Sequence, residues 1–212
     1  MGQAADRGRV VPGRFLPGAK SARLQTLNHW RMTMIVELSK TVDAPASALW
    51  RVMGEEYADI ANVVSGVYVS QARPGAGVNG APIEGRVCHT SLGKHPLIET
   101  IKVYDPDARK LSYDANSKSF PAFVKSLVNN WEFREINEAK TEVRMRLEGD
   151  LSFPFNYLMA SMMKWRFAKI MPGVIDELAH YARTGQKHPG KIASDATRKA
   201  QKSRAAVIIA PA

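Results

Sequence analysis

The chain has 212 residues, 45% of them hydrophobic, with one cysteine and with 30 Lys and Arg against 20 Asp and Glu, a net charge of +10. That is enough for one globular domain with extensions, and the lone Cys88 excludes a disulfide scaffold or a cysteine-built zinc site, which need two or more thiols at one point. No run approaches the roughly 20 apolar residues that cross a bilayer, and the opening of the chain lacks the compact apolar segment of a secretory signal, so the expected compartment is the cytoplasm.

The positive charge sits at the ends. Residues 1–32 carry a net +5 and residues 183–212 a net +6, which leaves the middle at −1. A nearly neutral middle argues against a nucleic-acid-binding core, and a nucleic-acid partner is not expected. The extension 1–32 is rich in Gly, Ala and Arg without a sustained apolar period and reads as disordered. Met32 and Met34 stand directly before the first strand as an alternative start, and the rival reading of the segment is a targeting peptide.

From Met34 to Val42 apolar and polar residues alternate as in a half-buried strand. Ala44-Pro45 then stops the strand and opens a short helix whose apolar face is Leu49, Trp50, Val52 and Met53. A second short helix is expected around Glu56 to Asn62, leading into a strand over Val63 to Val69. Pro74 to Gly80 has the Gly and Asn content of a hairpin loop. Further strands are divided by Leu92-Gly93-Lys94, by Asp105-Pro106-Asp107, by the loop at Phe120-Pro121 and by Asn137-Glu138, for seven in all. The last shows the alternation most clearly: Val143, Met145 and Leu147 face one way, Arg144, Arg146 and Glu148 the other.

After Leu151 the period changes to three and four. Phe155, Leu158, Met162, Trp165, Phe167, Ile170, Met171, Val174, Leu178 and Tyr181 make one long amphipathic helix, which Pro172-Gly173 should kink or break. The basic stretch 185–212 reads as a second disordered tail, able at most to touch an anionic membrane. The expected fold is therefore α+β: a seven-stranded curved antiparallel sheet gripping one long C-terminal helix, with two short helices after the first strand.

This order resembles the START-like or SRPBCC superfamily, which includes the birch-pollen-allergen fold and the polyketide cyclase/dehydratase and lipid-transport group. The likeness spans about residues 33–184 and is carried by Val42-Asp43-Ala44-Pro45 through Leu49-Trp50, by Gly77 to Arg86, by Leu97 to Ile101 followed by Tyr104-Asp105, by Leu111-Ser112-Tyr113 and by Thr141-Glu142-Val143. Members of that superfamily bind lipids, sterols, hormones or polyketides, and some are enzymes. The resemblance implies a hydrophobic small molecule or lipid held between sheet and helix by a carrier or sensor, or else cyclase/dehydratase chemistry in the same cavity. No metal and no cofactor are expected.

Alternation selects the residues that would line such a cavity. Glu99 shares parity with Leu97, Ile101 and Val103; Asn129 with Leu127, Trp131 and Phe133; Tyr113 with Leu111; His89 with Val87. Glu99, Tyr113 and His89 are the acid/base candidates for an enzyme, whereas an ion pair between Glu99 and Arg86 would make Glu99 structural. Asn129, Trp131 and Met145, with Met159, Met162, Met163 and Met171 on the helix, complete the expected ligand wall, methionine being able to follow an irregular shape.

Overall fold

A computed structural model describes residues 31–91, 93–152 and 156–209. The extension expected to be disordered, 1–32, therefore lies almost wholly outside the described residues, and so does Leu92 in the expected turn. Strand β1 (Arg31–Val42) is followed by helix α1 (Ala46–Trp50), a π-turn (Arg51–Glu55) and a 3-10 turn (Tyr57–Asn62). Then come β2 (Val67–Arg73), β3 (Gly85–Thr90), β4 (Leu97–Asp105), β5 (Lys110–Asn116), β6 (Val124–Asn137) and β7 (Lys140–Ser152). Helix α2 (Asn156–Thr184) returns across the sheet, and two helices close the chain, α3 (Pro189–Asp195) and α4 (Arg198–Ile209).

The seven strands form one antiparallel sheet in the order β1-β7-β6-β5-β4-β3-β2, so every neighbour except β1 and β7 is joined by a hairpin. The expected curved sheet around a long helix is the observed architecture. Alternation on β7 is complete: Thr141, Val143, Met145, Leu147, Gly149 and Leu151 are buried, and the residues between them are not. Outside, that strand is stitched by ion pairs, Arg134 and Arg144 to Glu142 and Arg146 to Glu148. Inside, the same period aims side chains at α1 and α2. Among the described residues no helix is long and apolar enough to cross a membrane.

Four expectations need correction. The β-branched run at Val63 enters a strand only at Val67, because Val63 and Val64 hydrogen-bond back to Ile60 and Gly66 turns the chain with φ of 80°. Val103 does not follow Ile101 inward: the register shifts between them, so Val103 is exposed and Tyr104 takes the buried place. Of the kink or break expected at Pro172, the break does not occur: helix α2 runs on to Thr184, with Met171, Ile175, Leu178 and Ala182 buried along it.

The fourth concerns the basic tail, which is folded up to Ile209. Asp195 collects Lys187, Lys191 and Arg204 at 3.0, 2.7 and 2.7 Å, and Lys191, fully buried, also donates to the Val67 carbonyl at 2.7 Å. Ser194 Oγ accepts from Gly66 N at 2.9 Å, and Glu177 of α2 accepts from Ser65 N at 2.7 Å. The tail's charge is thus partly internal: Lys191 and Arg204 donate to the Val67 and Tyr68 carbonyls at the start of β2, an edge strand of the sheet. A composition argument saw only the solubility of those cations, not their partners.

Candidate functional site

Between the inner face of the sheet and α2 the side chains leave two neighbouring hollows. The inner one, about 240 Å³, is bounded by Met53, Ile60, Tyr113, Trp131, Met145 and Met171 among others; the outer, about 370 Å³, by Phe120, Phe123, Leu127, Met159, Met162 and Met163. They share Leu97, Glu99, Asn129, Leu147, Phe167 and Ile170, and so form two lobes of one space. Both are lined mainly by apolar side chains with a few polar groups among them, the usual make-up of a small-molecule pocket.

Polar groups gather at the inner lobe. Strands β3 and β4 pair Arg86 with Glu99, and Gly85 beside them is glycine because a Cβ there would run into the Glu99 carbonyl. Arg86 Nε donates to Glu99 Oε2, with both side chains almost wholly buried, and its other arm donates to the Tyr57 carbonyl at 2.6 Å. The Tyr57 hydroxyl donates to Glu99 at 3.3 Å, while the Arg86 guanidinium lies 3.8 Å over the Tyr57 ring and 5.4 Å from that of Tyr113. Burial works against the Arg86 charge, but the adjoining Glu99 carboxylate outweighs it and holds the guanidinium protonated. Glu99 is thus the structural ion-pair member that the sequence allowed for, although it still borders both lobes.

Tyr113 sits opposite Asn129 across the β5–β6 pair, and Asn129 opposite Leu147 on β7. Burial, and next the Glu99 carboxylate, raise the Tyr113 pKa well above the usual phenol value, so its hydroxyl stays protonated at neutral pH. Burial likewise pushes the Cys88 thiol up to about 11, which makes it inert at neutral pH. Two buried polar atoms are left without a hydrogen bond, Asn129 Oδ1 and Trp131 Nε1. The indole N–H is close enough to Tyr113 to lower its pKa slightly against burial, yet falls short of hydrogen-bond geometry.

The structure thus brings Glu99, Tyr113, Asn129, Trp131 and Met145 to the inner part of the space and Met159, Met162 and Met163 to the outer lobe. His89 is not among them. On β3 it is Arg86, Cys88 and Thr90 that point inward, so His89 faces the other side of the sheet, half-buried. Tyr57 and Phe167 were missed. Phe167 lay within the helical period, but Tyr57 occupies a 3-10 turn whose orientation no period dictates.

A model of the polyketide cyclase/dehydrase and lipid transport family matches residues 33–183. No curated protein matches the sequence. Among solved structures, the ZhuI aromatase/cyclase from a Streptomyces species is 14% identical over 72% of this chain and 94% of its own, with a TM-score of 0.57. Truncated norcoclaurine synthase from Thalictrum flavum is 11% identical over 73% and 96%, with a TM-score of 0.55. Ara h 8.0201 is 11% identical over 72% and 99%, again with a TM-score of 0.55. At such identities these likenesses show the fold.

Proposed function

The chain belongs to the polyketide cyclase/dehydrase and lipid transport family, and from that membership we propose that it carries or senses an apolar small molecule held in the two-lobed space under α2. The observation that supports this reading is the wall itself. Apolar side chains make up most of it, and along it Asn129 Oδ1 and Trp131 Nε1 are buried without partners, an arrangement that costs about 1–3 kcal/mol per atom unless something binds there. The ligand that suits it has an apolar body for the methionine-lined outer lobe and one polar end. That end has both donor and acceptor character, accepting from Trp131 and Tyr113 and donating to Asn129.

Acid/base catalysis of the cyclase/dehydratase kind is supported less well. Glu99 is engaged by Arg86 and Tyr57, and the raised pKa of Tyr113 leaves no phenolate to act as a base at neutral pH, though the phenol can still hydrogen-bond a carbonyl. A titration tests the binding reading. An environment-sensitive probe such as 1-anilinonaphthalene-8-sulfonate should bind saturably, and Met163→Trp, which fills the outer lobe, should weaken binding about tenfold without lowering Tm. Binding that is unaltered in Met163→Trp contradicts the assignment. Should Glu99→Gln and Tyr113→Phe abolish turnover of a polyketide mimic while leaving its binding intact, the enzymatic reading takes precedence.

A further inference from the structure

Across the outer face of the sheet, cations are matched by carboxylates: Lys110 with Glu132, Arg134 and Arg144 with Glu142, Arg146 with Glu148. A groove between α4 and the turn that joins β3 to β4 does the opposite. It measures about 260 Å³, is walled by His89, Lys94, His95, Lys199, Lys202 and Ser203, and has no acidic residue in its lining. Lys199, Lys202, Ser203 and Ala206 recur at three- and four-residue steps, so one face of α4 is turned into it. Lys199 donates to the Ser91 carbonyl, which holds its ammonium at the rim. Among the described residues none of Lys94, Lys199 and Lys202 forms an ion pair, so three cationic side chains wall one groove without a counter-charge, an arrangement that attracts an anion.

We propose that this groove binds a phosphate-bearing anion, either free or as a lipid headgroup. Three ammonium groups offer donors and no acceptor, two imidazoles each offer a further N–H, and the Ser203 hydroxyl completes a set suited to several oxygens of one compact, multiply charged group. The site is separate from the apolar space: Thr90, buried between them, borders the groove on one side and the inner lobe on the other. Helix α4 lies beyond the residues matched by the family model, so the groove is built with this chain's own C-terminal segment.

The test uses the full chain at low ionic strength. Pyrophosphate is titrated by calorimetry, and in parallel the protein is sedimented with phosphatidylcholine vesicles with and without phosphatidic acid. One of the two should bind saturably. Binding should fall about tenfold or more in the Lys199→Gln, Lys202→Gln double variant and stay unchanged in Lys102→Gln, Lys164→Gln, which removes equal charge outside the groove lining. All four lysines are exposed, so both variants should melt with the wild type. Pyrophosphate binding with that pattern assigns a free anion; vesicle binding alone with that pattern assigns the headgroup. Equal loss in the two double variants would mean diffuse attraction by net charge and would overturn the proposal, as would the absence of saturable binding to either.

Discussion

The two halves of helix α2 carry the same apolar period and do different things with it. From Met171 onward the helix is a core element: Met171, Ile175, Leu178 and Ala182 are almost completely buried, and Glu177 and Asp176 tie it to Ser65 and Lys40. From Met159 to Ile170 only Ala160 is buried, while Met162, Trp165 and Ile170 are 43, 60 and 50% exposed. That half roofs the outer lobe and has little beneath it. A hydrophobic period therefore tells which face of a helix looks inward, but not whether anything is there to meet it.

The strongest challenge to this division is at the inner lobe, where the wall is polar yet locked. Arg86→Ala should cost roughly 3–5 kcal/mol in urea unfolding, since it strands the buried Glu99 carboxylate; a smaller loss would mean that water reaches the pair from the hollow. Next comes the direct contrast between the halves of α2. Ile175→Ala should cost roughly 2–5 kcal/mol and Met163→Ala less than about 1 kcal/mol, because the second removes atoms that already border empty space. Similar losses at the two sites would erase the distinction.

A smaller effect is expected where the C-terminal helices lock onto the packed end. Asp195→Asn should cost about 2 kcal/mol at neutral pH, since Lys191 would stay buried with a weaker partner. Although burial opposes its charge, bonds from Lys191 and Lys187 hold the Asp195 pKa below the usual value. Its stabilisation is therefore complete above pH of about 4 and is lost as pH falls through the depressed folded value, so the wild-type advantage in urea midpoint should shrink in that window. The mildest prediction concerns the hollow itself. Asn129→Leu removes an unpaired buried oxygen and should raise stability by about 1 kcal/mol while weakening ligand binding, a trade that calorimetry and a thermal melt detect together.

How much of this was legible depended on whether a residue obeyed a period. Asn129 and Trp131 lie on a strand segment of unbroken alternation, so their inward direction was readable from Leu127 and Phe133. Glu99 was readable only up to the bulge after Ile101, beyond which Val103 turned out where Tyr104 turned in. His89 was not readable because its strand is only six residues long and alternation with Val87 does not say which side is buried; the inward residues are Arg86 and Cys88. The folding of 189–209 depends on Asp195 meeting three cations and on buried Lys191 reaching a carbonyl 124 residues away in sequence, long-range pairings that composition does not encode. The apolar period carried α2 past Pro172 to Tyr181; what it left open was whether the chain breaks there, and burial on one side of the helix outweighs a missing backbone donor.

The central claim is that the space beneath the loosely packed half of α2 is a binding site rather than an accident of packing. Native mass spectrometry of the purified full chain, compared intact and after denaturation, tests it most directly. The account predicts a small apolar molecule that accompanies the folded protein, is released on unfolding, and is retained less by Asn129→Leu and Met163→Trp. A protein that arrives empty, and whose melting temperature is unmoved by fatty acids, isoprenoids and aromatic polyketide mimics, would contradict it.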